Sequence, residues 1–143
     1  MIQRGGNATI RGLTLQEMRS LLDRMPFNRL LGIRVVRLHA DGVTIECPVR
    51  AELLNVAGVL HGGVAATLAD AAVGIALTHH FGGKRAATTT ELKINYLRPI
   101  PDGKISARAH LLRVGSKLVV GRVDLFDKNR KLAAAAIVTY MLL

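Results

Sequence analysis

The stretch that decides the fold reads HGGVAATLADAAVGIALTHHFGG, from His61 to Gly83. Between Gly62 and Gly83 it holds one carboxylate, Asp70, and no Lys, Arg or Glu. Ala65, Leu68, Ala72, Ile75 and Ala76 recur at helical spacing and Gly82-Gly83 ends the run, which predicts one long helix. A helix that is apolar or neutral around its whole circumference is a core helix, expected here to be wrapped on every side. At about 100° per residue, Asp70 falls opposite the apolar stripe, among Ala66, Thr67, Gly74 and Leu77. A solitary acid on such a helix is costly to bury without a partner or a purpose.

Upstream, Thr14 to Arg24 suits a short amphipathic helix, with Thr14 as N-cap, Glu17 completing a capping-box pattern and Pro26 closing it. Ile33 to His39 and Val43 to Val49 alternate as strands around Asp41-Gly42, a hairpin turn signal. Downstream come four strand-like segments: Thr88 to Arg98, Ile105 to Leu111, Val119 to Leu125 and Leu132 to Leu143. Ala133 to Ala136 could be helical by propensity, but Ile137, Val138, Thr139 and Tyr140 favour a buried central strand. The order helix, two strands, long helix, four strands fits an α+β fold: a mostly antiparallel sheet curled around a single helix. One sheet covers one side of a helix. No other element of the chain is left for the Asp70 face, so a second copy is expected to cover it.

The chain is 143 residues long, a single-domain length; residues 1–25 read as a leader and short helix, 26–143 as one domain. Half the residues are hydrophobic but only 3% are aromatic, so the core must be built from aliphatic side chains. Met1 to Gly12, with Arg4 and Arg11 and no hydrophobic segment, reads as a frayed leader and not a secretory signal. No apolar run is expected to span a bilayer. Cys47 is the only cysteine, which excludes an internal disulfide and fits a reducing, cytoplasmic setting. The net charge of +10 calls for anionic partners. The basic residues are scattered and no two aromatics stand together, which argues against nucleic acid and for a small phosphorylated molecule.

The segment from Asn55 through Gly58 to His61-Gly62-Gly63 runs straight into the long helix. Its glycines allow a tight turn and close approach of backbone to a ligand. The first amides of a helix lack partners and sit at the positive end of its dipole, where an oxygen gaining negative charge is stabilised. A nearby carboxylate can serve as general base for water. His79-His80 lack the spacing that puts two metal ligands on one helical face, and no metal site is expected. His39 and His110 read as ordinary strand residues.

Together Asn55, Gly58, His61-Gly62-Gly63, Leu68-Ala69-Asp70 and Asn95-Tyr96-Leu97-Arg98-Pro99 resemble the hotdog-fold acyl-CoA thioesterases of the phenylacetyl-CoA type, over most of the chain from Pro26-Phe27 to the final strand. The Pro-rich loop of hotdog dehydratases and the Asp/His pair of hydratases are absent. The resemblance implies a homo-oligomer, a dimer of dimers, binding an acyl-CoA thioester at a subunit interface. It implies that the Gly62 amide holds the thioester oxygen, that Asp70 of the neighbouring subunit activates water or, as the lesser alternative, attacks directly through an anhydride, that His61 contacts the carbonyl or the departing sulfur, and that Asn55 orients the carboxylate or water. It implies a water-holding hydroxyl at Thr89, although Thr88 and Thr90 lie within one residue of register. The coenzyme A arm would run along Tyr96, Arg98 and Pro99 and along the hairpin of Arg113, Gly115 and Lys117. Coenzyme A is then part of the substrate, and no separate cofactor is implied. Two other readings are a non-catalytic acyl-CoA sensor on the same fold and a small basic nucleic-acid-binding protein. Sensors of that kind usually attach a DNA-binding helix pair, for which residues 1–25 are too short.

Overall fold

The computed structural model describes residues 11–143; of the expected basic leader only Arg11 and Gly12 fall within them. The elements are α1 (Leu15–Leu22), α2 (Pro26–Leu31), β1 (Arg34–His39), β2 (Gly42–Pro48), α3 (Gly62–His80), β3 (Ala87–Tyr96), β4 (Lys104–Val114), β5 (Leu118–Phe126) and β6 (Leu132–Leu142). The strands form one sheet in the order β1-β2-β4-β5-β6-β3, every neighbouring pair antiparallel. This is the expected α+β hotdog fold, with α3 as its central helix.

The capping box of α1 is formed in both directions. The Glu17 amide donates to Thr14 Oγ1 at 3.2 Å and the Thr14 amide donates to Glu17 Oε2 at 2.7 Å. The helix buries Met18 and Leu22 in the common core. Thr14→Ala should lower the unfolding free energy by about 1 kcal/mol, readable as a lower midpoint in a urea melt. Pro26 does not close this helix as expected. It opens α2, at a first-turn position where its missing N–H leaves no bond unmade. Gly32, at φ 72°, ends α2.

Alternation fixes which face of the sheet is inside: Val43, Ile45 and Cys47 on β2, Ile105, Ala107 and Ala109 on β4, and Val119, Val123 and Leu125 on β5 are fully buried. Against them lies the predicted stripe of α3, with Ala65, Leu68, Ala72, Ile75 and Ala76 all buried. The helix comes close to β5, where a Cβ on Gly121 would meet Val73 Cγ2 at 2.7 Å. The alanines of β6 form strand because β6 has a ladder partner on each side. At the β1–β2 turn Asp41 accepts from Arg108 and His110 of β4; chiefly the Arg108 bond, then that of His110, lowers its pKa to about 2.

Two expectations about α3 need correction. Its 19 residues, with a mean hydropathy of 1.2, are long and apolar enough to cross a bilayer by length and composition alone. Its apolar stripe is instead packed on the sheet. Nor is it wrapped on every side: Ala66, Thr67, Asp70 and Gly74 are half-buried, and Leu77 of that face is buried.

Candidate active site

The segment before α3 is built to present its first turn. Asn55 Oδ1 accepts the Ala57 amide at 2.9 Å and the Val59 amide at 3.3 Å, and the Asn55 amide donates to the Val59 carbonyl at 2.8 Å. Gly58, at φ 74°, takes the left-handed position this turn requires. The turn uses the side-chain oxygen of Asn55 and leaves its Nδ2 for other partners.

His61 is the N-cap of α3: its Nδ1 accepts the Gly63 amide at 2.9 Å. An accepting Nδ1 places the ring proton on Nε2, at the exposed end of the imidazole. The Gly63 amide is thereby occupied. The Gly62 amide has no acceptor among the described residues, while the Gly62 carbonyl takes the Tyr96 hydroxyl at 2.7 Å. The free donor at the helix start is therefore Gly62 N–H. A cleft of about 390 Å³ opens beside it, lined by Asn55, Gly62, Tyr96, Arg98, Pro99 and Ile100 among others.

Asp70 lies eight residues along the same helix, about 12 Å from Gly62 at 1.5 Å rise per residue. Its face is not left bare by its own chain, contrary to expectation. Thr89 Oγ1 of β3 donates to Asp70 Oδ1 at 2.7 Å, and the Tyr140 hydroxyl of β6 donates to the same oxygen at 2.8 Å. Asp70 Oδ2 has no partner among the described residues. The three adjacent threonines are now resolved. Leu92, Ile94 and Tyr96 point to the helix side of β3, and continued alternation would select Thr90. A register shift between Thr89 and Glu91 inserts one residue, so Thr89 reaches Asp70 and the Thr90 hydroxyl turns to the Thr139 carbonyl at 3.2 Å.

Tyr140 is the site residue that the sequence reading missed. Burial, and secondarily the nearby Asp70 carboxylate, push its pKa far above the usual phenol range, so it stays a neutral donor. Two signals could have found it. A phenol on an alternating buried strand must find an acceptor, and the long helix offers one acid. Gly74, a mid-helix glycine costing about 1 kcal/mol in propensity, marks a close approach: a Cβ there would lie 2.8 Å from the Tyr140 hydroxyl.

The residues expected to hold coenzyme A do not gather within one chain. Tyr96 pairs with Ala134 of β6, whereas Leu118, at the end of the Arg113–Lys117 hairpin, pairs with Met141. Seven strand residues, about 23 Å, separate those positions. Arg98 and Pro99 lie at one end of the sheet, and Arg113, Gly115 and Lys117 at the other.

Known proteins resemble this chain in sequence and fold. Residues 57–134 match the family model described as the thioesterase superfamily. A protein of Saccharolobus solfataricus named as an esterase is 31% identical over 115 residues, 80% of this chain and 81% of that one. The medium/long-chain acyl-CoA thioesterase YigI of Escherichia coli is 32% identical over 132 residues, covering 82% of this chain and 85% of its own. The crystal structure of a Haemophilus influenzae thioesterase superposes with a TM-score of 0.86 at 25% identity, covering 94% of this chain and 93% of that one. The chain belongs to the thioesterase superfamily.

Proposed function

We propose that the protein hydrolyses acyl-CoA thioesters at sites shared between two copies of the chain, in the manner of the phenylacetyl-CoA type. The observation that carries this reading is the pair of unspent groups on α3, the Gly62 amide and Asp70 Oδ2. They are too far apart to meet one thioester carbonyl within a chain, but both touch β3, one of the two edge strands of the sheet. Tyr96 at one end of β3 bonds Gly62, and Thr89 at the other bonds Asp70.

An edge strand exposes a row of unpaired backbone groups. The Leu97 amide donates to Ala133 of β6, and alternation then turns the amides of Leu92, Ile94 and Tyr96 outward. Two β3 strands pairing antiparallel about a two-fold axis at Leu92 set Glu91 opposite the partner subunit's Lys93. The same pairing lays Tyr96 beside the partner subunit's Thr88, bringing each Gly62 amide toward the other chain's Asp70. It also carries Arg98 and Pro99 toward the partner's Arg113, Gly115 and Lys117, which completes a basic track for the phosphates. Exposed Leu118, Ile137 and Met141 on the outer face support further pairing into a dimer of dimers.

In this arrangement Asp70 Oδ2 takes a proton from water as its oxygen attacks the thioester carbon. The carbonyl oxygen gains negative charge against Gly62 N–H and the helix dipole, with His61 Nε2–H beside the carbonyl or the sulfur and Asn55 Nδ2 orienting the water. Collapse breaks the C–S bond, and the proton on Asp70 passes to the departing coenzyme A thiolate. The thioester is already activated, so the scheme needs no metal or cofactor. A second cleft of about 250 Å³, lined by Met25, Ala71, Gly74, Ile75, Ala87 and Tyr140 among others, begins beside Asp70 and suits the acyl group. An acyl-CoA substrate and the buried free thiol of Cys47 suit a reducing cytoplasm.

The test is thiol release from a panel of acetyl-, phenylacetyl-, octanoyl- and palmitoyl-CoA. Turnover of at least one is expected. Tight acyl-CoA binding without release would replace this reading with a sensor, and salt-sensitive oligonucleotide binding without either would favour nucleic acid.

A further inference from the structure

We infer that Tyr140 is a positioning residue for the base, and that it fixes which oxygen of Asp70 receives the proton. The inference rests on the hydrolase reading and deepens it. A carboxylate held by Thr89 alone could still turn about its Cβ–Cγ bond and exchange its oxygens. Here two hydroxyls from two strands converge on Oδ1, at 2.7 Å from Thr89 and 2.8 Å from Tyr140. The Tyr140 hydroxyl also lies 2.9 Å from the Asp70 main-chain carbonyl, the other acceptor within reach of its single proton. Oδ2 is left as the oxygen that faces the reactants.

The two donors are not equivalent. Thr89 stands on the exposed edge strand, whereas Tyr140 is 8% exposed on β6, between β5 and β3. Tyr140 is the rigid member of the pair. The helix makes room for it at a single position: a Cβ at residue 74 would lie 2.8 Å from the hydroxyl oxygen but 3.4 Å from Cζ, an ordinary contact. Gly74 therefore answers to the hydroxyl and not to the ring.

That difference supplies the experiment, a double-mutant cycle read by steady-state kinetics and thermal melting on the best acyl-CoA of the panel. Tyr140→Phe keeps the ring and the fold. It should lower kcat about tenfold, the loss of one oriented hydrogen bond, with a smaller change in KM through the acyl cleft that Tyr140 also lines. Gly74→Ala alone should displace the hydroxyl, lowering both kcat and Tm. Gly74→Ala in the Tyr140→Phe background should raise Tm, because the added methyl meets only the ring and the helix loses a glycine, and should lower kcat no further. Unchanged kcat in Tyr140→Phe, or losses that multiply in the double variant, would overturn the inference while wild-type turnover keeps the hydrolase reading standing. Absence of wild-type turnover on every acyl-CoA would remove both.

Discussion

Asp70→Asn is expected to reduce thiol release by about 10³-fold, the middle of the range over which positioned general bases act, with little change in melting temperature and with acyl-CoA binding retained. The geometry separates the two effects. The Thr89 and Tyr140 hydroxyls both donate to Oδ1, and an amide oxygen in the same place accepts both bonds. The amide nitrogen then occupies the position of Oδ2, which has no protein partner to lose. What disappears is the capacity to accept a proton from water. Measuring release on the panel's best substrate, a thermal melt and acyl-CoA binding by calorimetry on one preparation checks all three parts. Equal rates for wild type and Asp70→Asn would dispose of the mechanism. Loss of binding along with rate would recast Asp70 as part of the substrate pocket.

How much of this was legible in the sequence depends on the range of the interaction concerned. Features set within a few residues of chain could be read: the Thr14–Glu17 capping box, the Asp41-Gly42 turn, the stripe from Ala65 to Ala76, and the Asn55–Gly63 approach to a helix start. Pro26 could not be read so simply, because a proline both ends and begins helices, and the following residues decide which. Thr89 could be placed only to within one residue, since the register shift that selects it comes from pairing with β6. Tyr140 and Asp70 stand 70 residues apart, and their contact exists only once β6 lies beside α3. The residues expected along coenzyme A lie toward opposite ends of one chain's sheet. A likeness of motifs along one chain does not say which of them act in the same copy, and the strand order separates Arg98 from Lys117.

Leu92→Pro carries the other large effect, and it tests the shared site without touching any residue assigned to chemistry. Odd-numbered residues from Glu91 to Leu97 bond inward to β6, because the Leu97 amide donates to Ala133 and antiparallel ladders alternate. The Leu92 amide therefore points to the open edge, and a proline there breaks no ladder bond within its own chain, the circumstance in which edge strands tolerate proline. At a two-fold axis through Leu92 the same substitution removes both hydrogen bonds that cross the axis. The variant should fold, elute from size exclusion at the monomer position and release thiol at no more than about a hundredth of the wild-type rate, on the scale of a lost general base. Within a monomer the Gly62 amide and the Asp70 carboxylate remain about 12 Å apart along α3, farther than one tetrahedral centre can bridge. A monomer retaining full activity would show that one chain assembles the whole site. A stable dimer carrying the proline would move the shared interface away from β3.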